Sequence, residues 1–216
     1  SEMCIRDRSR LDSDEMKELL TDVITGDALD DNKKPYARRS NMRDTAIIAL
    51  LGGTGIRVSE LVGIDLNDID WEHNCIRIIR KGGNEDIVYF GDELHRYLED
   101  YINYEREPGD DKEKALFVAS RKDKGRLTVR SVERIVSKYG TATIPSKHLS
   151  PHSLRRTFGT NYYEETSDLY AVADALGHKN IQVTKDHYAD ISERKKQQVK
   201  DCLLYTSPSP RDISGS

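Results

Sequence analysis

At 216 residues the chain is long enough for one domain with a real core, or for two small ones. Its charged fraction of 33%, apolar fraction of 36% and net charge of −4 suit a soluble globular protein, and no run of about 18 or more apolar residues offers a membrane span. Cys4, Cys75 and Cys202 are too few and too scattered for a disulfide framework or a zinc site, and with no secretory signal at the start this fits a reducing cytoplasm.

The two ends differ from what lies between them. Neither "SEMCIRDR" (1–8) nor "CLLYTSPSPRD" (202–212) has a helical or strand period. One short DNA duplex accounts for both. TCGGAGATGTGTATAAGAGACAG encodes Ser-Glu-Met-Cys-Ile-Arg-Asp, and its reverse complement encodes Cys-Leu-Leu-Tyr-Thr-Ser-Pro from its second base. The duplex resembles the adaptor of transposase-based sequencing libraries. The expected division is therefore adaptor-derived tails at 1–8 and 201–216 around a natural segment at 9–200, itself a fragment of a longer gene.

Within that segment "LDSDEMKELLTDVITG" predicts a helix capped by Asp12 or Ser13 and stopped by Gly26. A polar loop (27–37) follows. "NMRDTAIIALLGGTG" reads as a mostly buried helix ending in glycines, and "IRVSELVGI" as a short helix just after it. Three strand-like runs come next, around Leu66–Asp70, at 75–80 and at 85–90, separated by the turns "WEHN" and "KGGN"; they predict an antiparallel three-stranded sheet. "DELHRYLEDYINYER" is a helix ended by Pro108-Gly109, "ALFV" (115–118) is a short extended piece, and Thr128 caps a helix to Tyr139. Pro151 opens "HSLRRTFGTNYYEE". "DLYAVADAL" ends at Gly177, and "VTKDHYADI" and "SERKKQQVK" close the segment. The class is mainly α with a small sheet.

Charge is unevenly spread. Residues 121–156 hold ten Lys/Arg against two acids, whereas 84–113 hold eleven acids against three bases. A basic stripe is the footprint of a phosphate backbone; the competing reading is an unevenly charged solvated surface. The helix after Thr128 sharpens the first reading. Val132, Ile135, Val136 and Tyr139 share an apolar side, while Arg130, Arg134 and Lys138 line another at i, i+4, i+8.

Singly, the reactive side chains have ordinary explanations. Arg57 can pair with Glu60, and Lys81 is a usual turn residue. His152 and Arg155 stand at i, i+3 on one helix. His178 follows Gly177 at a helix end, where such a group is favoured anyway. Tyr188 is one of eleven tyrosines and could be packing. His148, His152, His178 and His187 lack metal-ligand spacing, so no metal is expected.

Their combination and order resemble the tyrosine recombinases, the family of phage and transposon integrases and Xer-type recombinases. "TGIRVSEL" is similar to the family's first-arginine motif, and "RKGGN" to its hairpin-lysine turn. "SPHSLRRTFGT" resembles the His-x-x-Arg motif, "ALGHKN" the Leu-Gly-His motif and "DHYADI" the nucleophile motif. The resemblance spans nearly all of 11–200. Asn84 and Asp86 depart from it, standing where the family often has further bases. Arg156 replaces a frequent histidine, and Tyr188 lies ten residues after His178 where many relatives have nine.

The resemblance implies a recombinase catalytic domain at 9–200 that transfers phosphoryl groups on double-stranded DNA with no cofactor. Arg57 and Arg155 would clamp the non-bridging oxygens and His178 would add a donor. His152 would be the base for Tyr188, the nucleophile, and Lys81 the acid for the leaving oxygen, with Lys147 or Arg80 as fallback donors. It further implies an N-terminal DNA-clamping domain and a homo-tetramer on two DNA sites in the full-length protein. The rivals are a type IB topoisomerase, with the same chemistry, and a non-catalytic DNA-binding protein using the basic helix.

Overall fold

Helix α1 (Ser13–Thr25) starts at a reciprocal box. Asp12 Oδ1 accepts from the Asp14 and Glu15 amides, and Glu15 returns a carboxylate to the Asp12 amide. Gly26 ends it with φ 73°, a left-handed conformation that glycine adopts without a Cβ clash. The computed structural model describes residues 10–107, 114–119 and 125–185. They divide into two units, Ser1–Asn161 and Tyr162–Ser216.

In the first unit the expected loop at 27–37 contains a short helix, α2 (Lys34–Ala37), with Pro35 in its first turn, where a missing N–H costs nothing. Helix α3 (Asn41–Thr54) is apolar nearly all round and is the centre of the core: Ile47, Ile48, Leu50 and Leu51 have no accessible surface. Burial of each such side chain is worth about 1.5–3 kcal/mol. The start of α3 is capped from far away. Glu105 accepts from the Met42 and Arg43 amides at 2.9 and 3.0 Å, and burial raises its pKa. Helix α4 (Val58–Gly63) follows after Gly55, whose φ is 66°.

The sheet has the order β1-β2-β3, all antiparallel. Strand β1 is only Ile69–Asp70, because 66–68 form a 3₁₀ turn; β2 is Cys75–Ile79 and β3 is Glu85–Tyr89. Ile76 pairs with Val88 and Ile78 with Asp86. Since side chains alternate, 76, 78, 80, 86 and 88 share the inner face. The turn between β2 and β3 uses Gly82 and Gly83 at φ 97° and 83°.

Helix α5 (Asp92–Asp100) runs into a π-helical turn, Tyr101–Glu105, rather than continuing as α-helix. Ala115 and Val118 bridge Asp65 and Arg126, the expected extended piece. Helix α6 (Val129–Thr143) is capped by Thr128, buries Val132, Ile135, Val136 and Tyr139, and outruns its expected end by four residues. Helix α7 (Pro151–Thr166) begins at a Ser150–Ser153 reciprocal cap and crosses the boundary between the units. In the second unit helix α8 (Leu169–Ala175) is capped by Asp168. The fold is thus mainly helical with one small antiparallel sheet. Among the described residues no helix is long and apolar enough to cross a membrane.

Candidate active site

Arg57 sits at the N-cap of α4, extended at φ −75° and ψ 151°. Glu60, one turn on, holds it twice: Oε2 accepts from the Arg57 amide at 2.7 Å, and Oε1 from Nη1 at 2.9 Å. Glu60 is 4% exposed, so its carboxylate needs partners. Arg80 supplies another, its Nη1 donating to Glu60 Oε2 at 3.2 Å, while its Nε donates to Asp86 Oδ2 at 2.8 Å. Two guanidiniums and two carboxylates therefore form one chain, Arg57–Glu60–Arg80–Asp86. Arg57 commits Nη1 to that chain, and its side chain keeps 35% of its surface accessible.

Arg155, in the second turn of α7, is 6% exposed and donates from Nη1 to the Gly55 carbonyl. Gly55 is two residues before Arg57. The bond brings together segments 100 positions apart, one carrying each arginine. Lys81 is exposed in the hairpin turn, adjacent in sequence to Arg80. His152 is exposed on the first turn of α7, unlike its buried i+3 neighbour Arg155. Lys147 is engaged elsewhere, with Glu15 and the Arg10 carbonyl.

In the second unit His178 is placed by a double helix stop. Its amide donates to the Ala173 carbonyl at 2.8 Å, and the Gly177 amide to Asp174 at 2.8 Å, with Gly177 at φ 63°. His178 Nδ1 lies 2.8 Å from Oγ1 of buried Thr184. Tyr188 and His187 lie outside the described residues. Two tyrosines inside the core are unsuited to attack, since burial raises the pKa of both Tyr101 and Tyr139.

The basic row on α6 is not uniform. Arg130 and Arg134 are exposed. Lys138 is half-buried, its Nζ 3.1 Å from the fully buried Asp44 and 4.1 Å from the Tyr139 ring centroid. An apolar groove lined by Met16, Leu20, Phe90, Leu94 and Tyr97 holds none of the expected site residues.

Sequence reasoning had Glu60 only as a partner for Arg57 and gave Asp86 no partner. The strand period carried the missing signal, because 80 and 86 fall on one face. For Asp44 and Thr184 nothing in the motifs pointed to a role.

Comparisons with known proteins place the chain in a family. Residues 9–195 match the model of the phage integrase family. The tyrosine recombinase XerC of Corynebacterium glutamicum is 41% identical over 154 residues, covering 71% of this chain and 48% of the relative. XerC of Vibrio cholerae is 35% identical over 191 residues, covering 88% and 57%. The chain spans about half the length of these curated relatives. The crystal structure of XerA recombinase superposes with a TM-score of 0.71 at 25% identity, over 92% of this chain and 66% of that one. The Tn1549 transposon integrase in complex with circular intermediate DNA shares the fold at a TM-score of 0.62 and 23% identity, over 87% of this chain and 63% of that one. With the family's model matched along residues 9–195, the chain belongs to the phage integrase family.

Proposed function

We propose that this chain is the catalytic portion of a cytoplasmic site-specific DNA recombinase that cleaves and rejoins strands through a 3′-phosphotyrosine. The observation that carries the proposal is the Arg155–Gly55 bond beside the Arg57–Glu60 pair. It ties the Arg155 side chain to the backbone two residues before Arg57, and two guanidiniums are the donor set a phosphodiester needs as charge gathers on its non-bridging oxygens. The names of the XerC relatives support the same reading.

The step balances as follows. Tyr188 Oη bonds to phosphorus and passes its proton to His152. The P–O5′ bond breaks, and the leaving oxygen takes a proton from the Lys81 ammonium. The products are a 3′-phosphotyrosine and a 5′-hydroxyl; attack by another 5′-hydroxyl reverses the step on a new strand. A tyrosine hydroxyl titrates near 10, so it needs the base. His178, aimed by Thr184, adds a donor to the phosphate. Two duplexes with two strands each require four nucleophiles, hence a homo-tetramer of the full-length protein on two DNA sites. Arg130 and Arg134 are the candidate backbone contacts, whereas Lys138, further along the row, is held by Asp44.

The test is covalent capture. The chain is incubated with a pool of nicked duplexes whose cleaved end diffuses away, then run on a denaturing gel. A protein–DNA adduct should form, map to Tyr188 by mass spectrometry and vanish in Tyr188→Phe. DNA retention without an adduct would leave a non-catalytic binding protein, and an adduct at Tyr162, Tyr163 or Tyr170 would overturn the nucleophile.

A further inference from the structure

The hairpin β2–β3 contains a buried base and an acid that the cleavage step does not use, Arg80 and Asp86. We infer that Arg80 is a positioning residue for Lys81: it fastens the Lys81 turn to the Arg57–Glu60 pair, so that proton donor and phosphate clamp keep one register. The inference rests on the cleavage reading of the same site.

Three observations converge on it. First, Arg80 reaches two elements with one group. Its Nε donates to Asp86 on β3 at 2.8 Å and its Nη1 to Glu60 on α4 at 3.2 Å. The guanidinium is planar and its donors point in fixed directions, so bonds to two carboxylates hold its orientation where one would leave it free to swing. Second, the backbone of Arg80 closes the turn. Its amide donates to the Asn84 carbonyl at 2.8 Å, and its carbonyl accepts from the Gly83 amide at 3.0 Å. The residue that locks the side chain to α4 thus also fixes the backbone from which Lys81 springs. Between Arg80 and Asn84 lie Gly82 and Gly83, both at positive φ, which by themselves give the turn little stiffness.

Third, the charges need Arg80 where it is. Asp86 is the hairpin acid closest in sequence to Lys81 apart from Glu85, and Arg80 occupies its carboxylate. Without Arg80, Asp86 can compete for the Lys81 ammonium, and Glu60, buried at 4% exposure, loses one of the guanidiniums that neutralise it. Asp86, which stands where the family often has a further base, is the hairpin's half of a clasp.

A bridging sulfur separates positioning of Lys81 from general support. A thiolate leaves with a pKa near 8.5 against about 15 for an alkoxide, so it needs little proton help. Single-turnover cleavage is compared on the duplex the wild-type chain cuts, with oxygen or sulfur at the 5′ bridging position. Lys81→Ala should lose about 10²–10⁴-fold on oxygen and recover most of it on sulfur. Arg80→Gln should lose about 10²-fold, the scale of a misplaced catalytic group, and recover likewise. Asp86→Asn, whose side chain is 41% exposed and so safe for folding, should show the same rescue with a smaller loss. Arg57→Ala should stay equally impaired on both substrates.

If Arg80→Gln and Asp86→Asn lose equally on both, Arg80 merely supports Arg57 or the fold, and the inference is overturned. If sulfur fails to rescue Lys81→Ala while the Tyr188 adduct still forms, the proton-donor assignment falls and the inference with it. If wild type forms no Tyr188 adduct at all, it is the cleavage reading that fails.

Discussion

Asp44 has no accessible surface, yet it meets three side chains. Arg43 donates from Nε and Nη2 at 3.1 and 2.9 Å, Lys138 Nζ lies at 3.1 Å, and the Tyr139 hydroxyl donates at 3.3 Å. Arg43 continues to the Val118 carbonyl at 3.1 Å. Removing the Asp44 charge leaves the buried Arg43 guanidinium without its carboxylate, and loss of one partner of a buried pair typically costs about 3–5 kcal/mol. Asp44→Asn is therefore expected to lower the urea midpoint by an amount equivalent to that range. Lys138→Met should cost about 1 kcal/mol or less, because its side chain is 31% exposed and the methionine still covers the Tyr139 ring. An Asp44→Asn variant as stable as wild type would mean that the buried pair contributes nothing net. At this scale the sequence was only half legible. The resemblance of short local motifs to the family's put forward Arg57, Lys81, His152, Arg155 and His178 as candidates. Their partners Gly55, which holds Arg155, and Thr184, which holds His178, like Asp86, which holds Arg80, come from other strands, turns or helices, and no local pattern encodes such a pairing.

Element by element, legibility followed how local the forces are. Helix α1 could be read to within one residue, its cap narrowed to Asp12 or Ser13 and its stop to Gly26, because the signals lie within its own segment. Helix α3 was readable because its run is apolar on every side. The π-helical turn at Tyr101–Glu105 was not, since it places Glu105 on the α3 amides about 60 residues earlier, at a sequence separation of 62 for Arg43. Glycines offer a test of packing at this scale. A Cβ on Gly140 in α6 would sit 2.6 Å from Leu149 Cβ, an atom fixed to the backbone that cannot swing aside. Ala normally gains up to about 1 kcal/mol over Gly inside a helix. Overpacking costs about 1–3 kcal/mol and should win here. On Gly53 in α3 a Cβ meets nothing within 4 Å. Gly140→Ala should thus lower the thermal midpoint, while Gly53→Ala should raise it by about 2 °C, on the scale of 2–4 °C per kcal/mol. Two shifts of the same sign would show that helix propensity rather than packing decides.

For the molecule as a whole the distribution of charge matters more than its sum. A net −4 repels DNA at long range, but the repulsion fades beyond a Debye length of about 10 Å at 0.1 M salt. Contacts then depend on which basic side chains are presented. The sequence showed a row of three on α6; the structure divides it, with Arg130 and Arg134 exposed and Lys138 drawn down onto Asp44. Each phosphate contact releases counterions and adds about 0.9 to the slope of log K against log salt. If Arg130 and Arg134 touch phosphates, Arg130→Ala and Arg134→Ala should each lower that slope by about one unit and weaken binding to unrelated duplexes alike. Lys138→Met should leave the slope unchanged, because the ammonium already has its counter-charge inside the protein. The measurement is fluorescence anisotropy with duplexes of two unrelated sequences across a salt series. A change confined to one sequence would mean base reading by the arginines. A slope that falls as far in Lys138→Met as in the arginine variants would mean that DNA pulls Lys138 off Asp44. Binding would then leave Asp44 with Arg43 and Tyr139 alone, and the stability cost of Asp44→Asn should shrink when DNA is present.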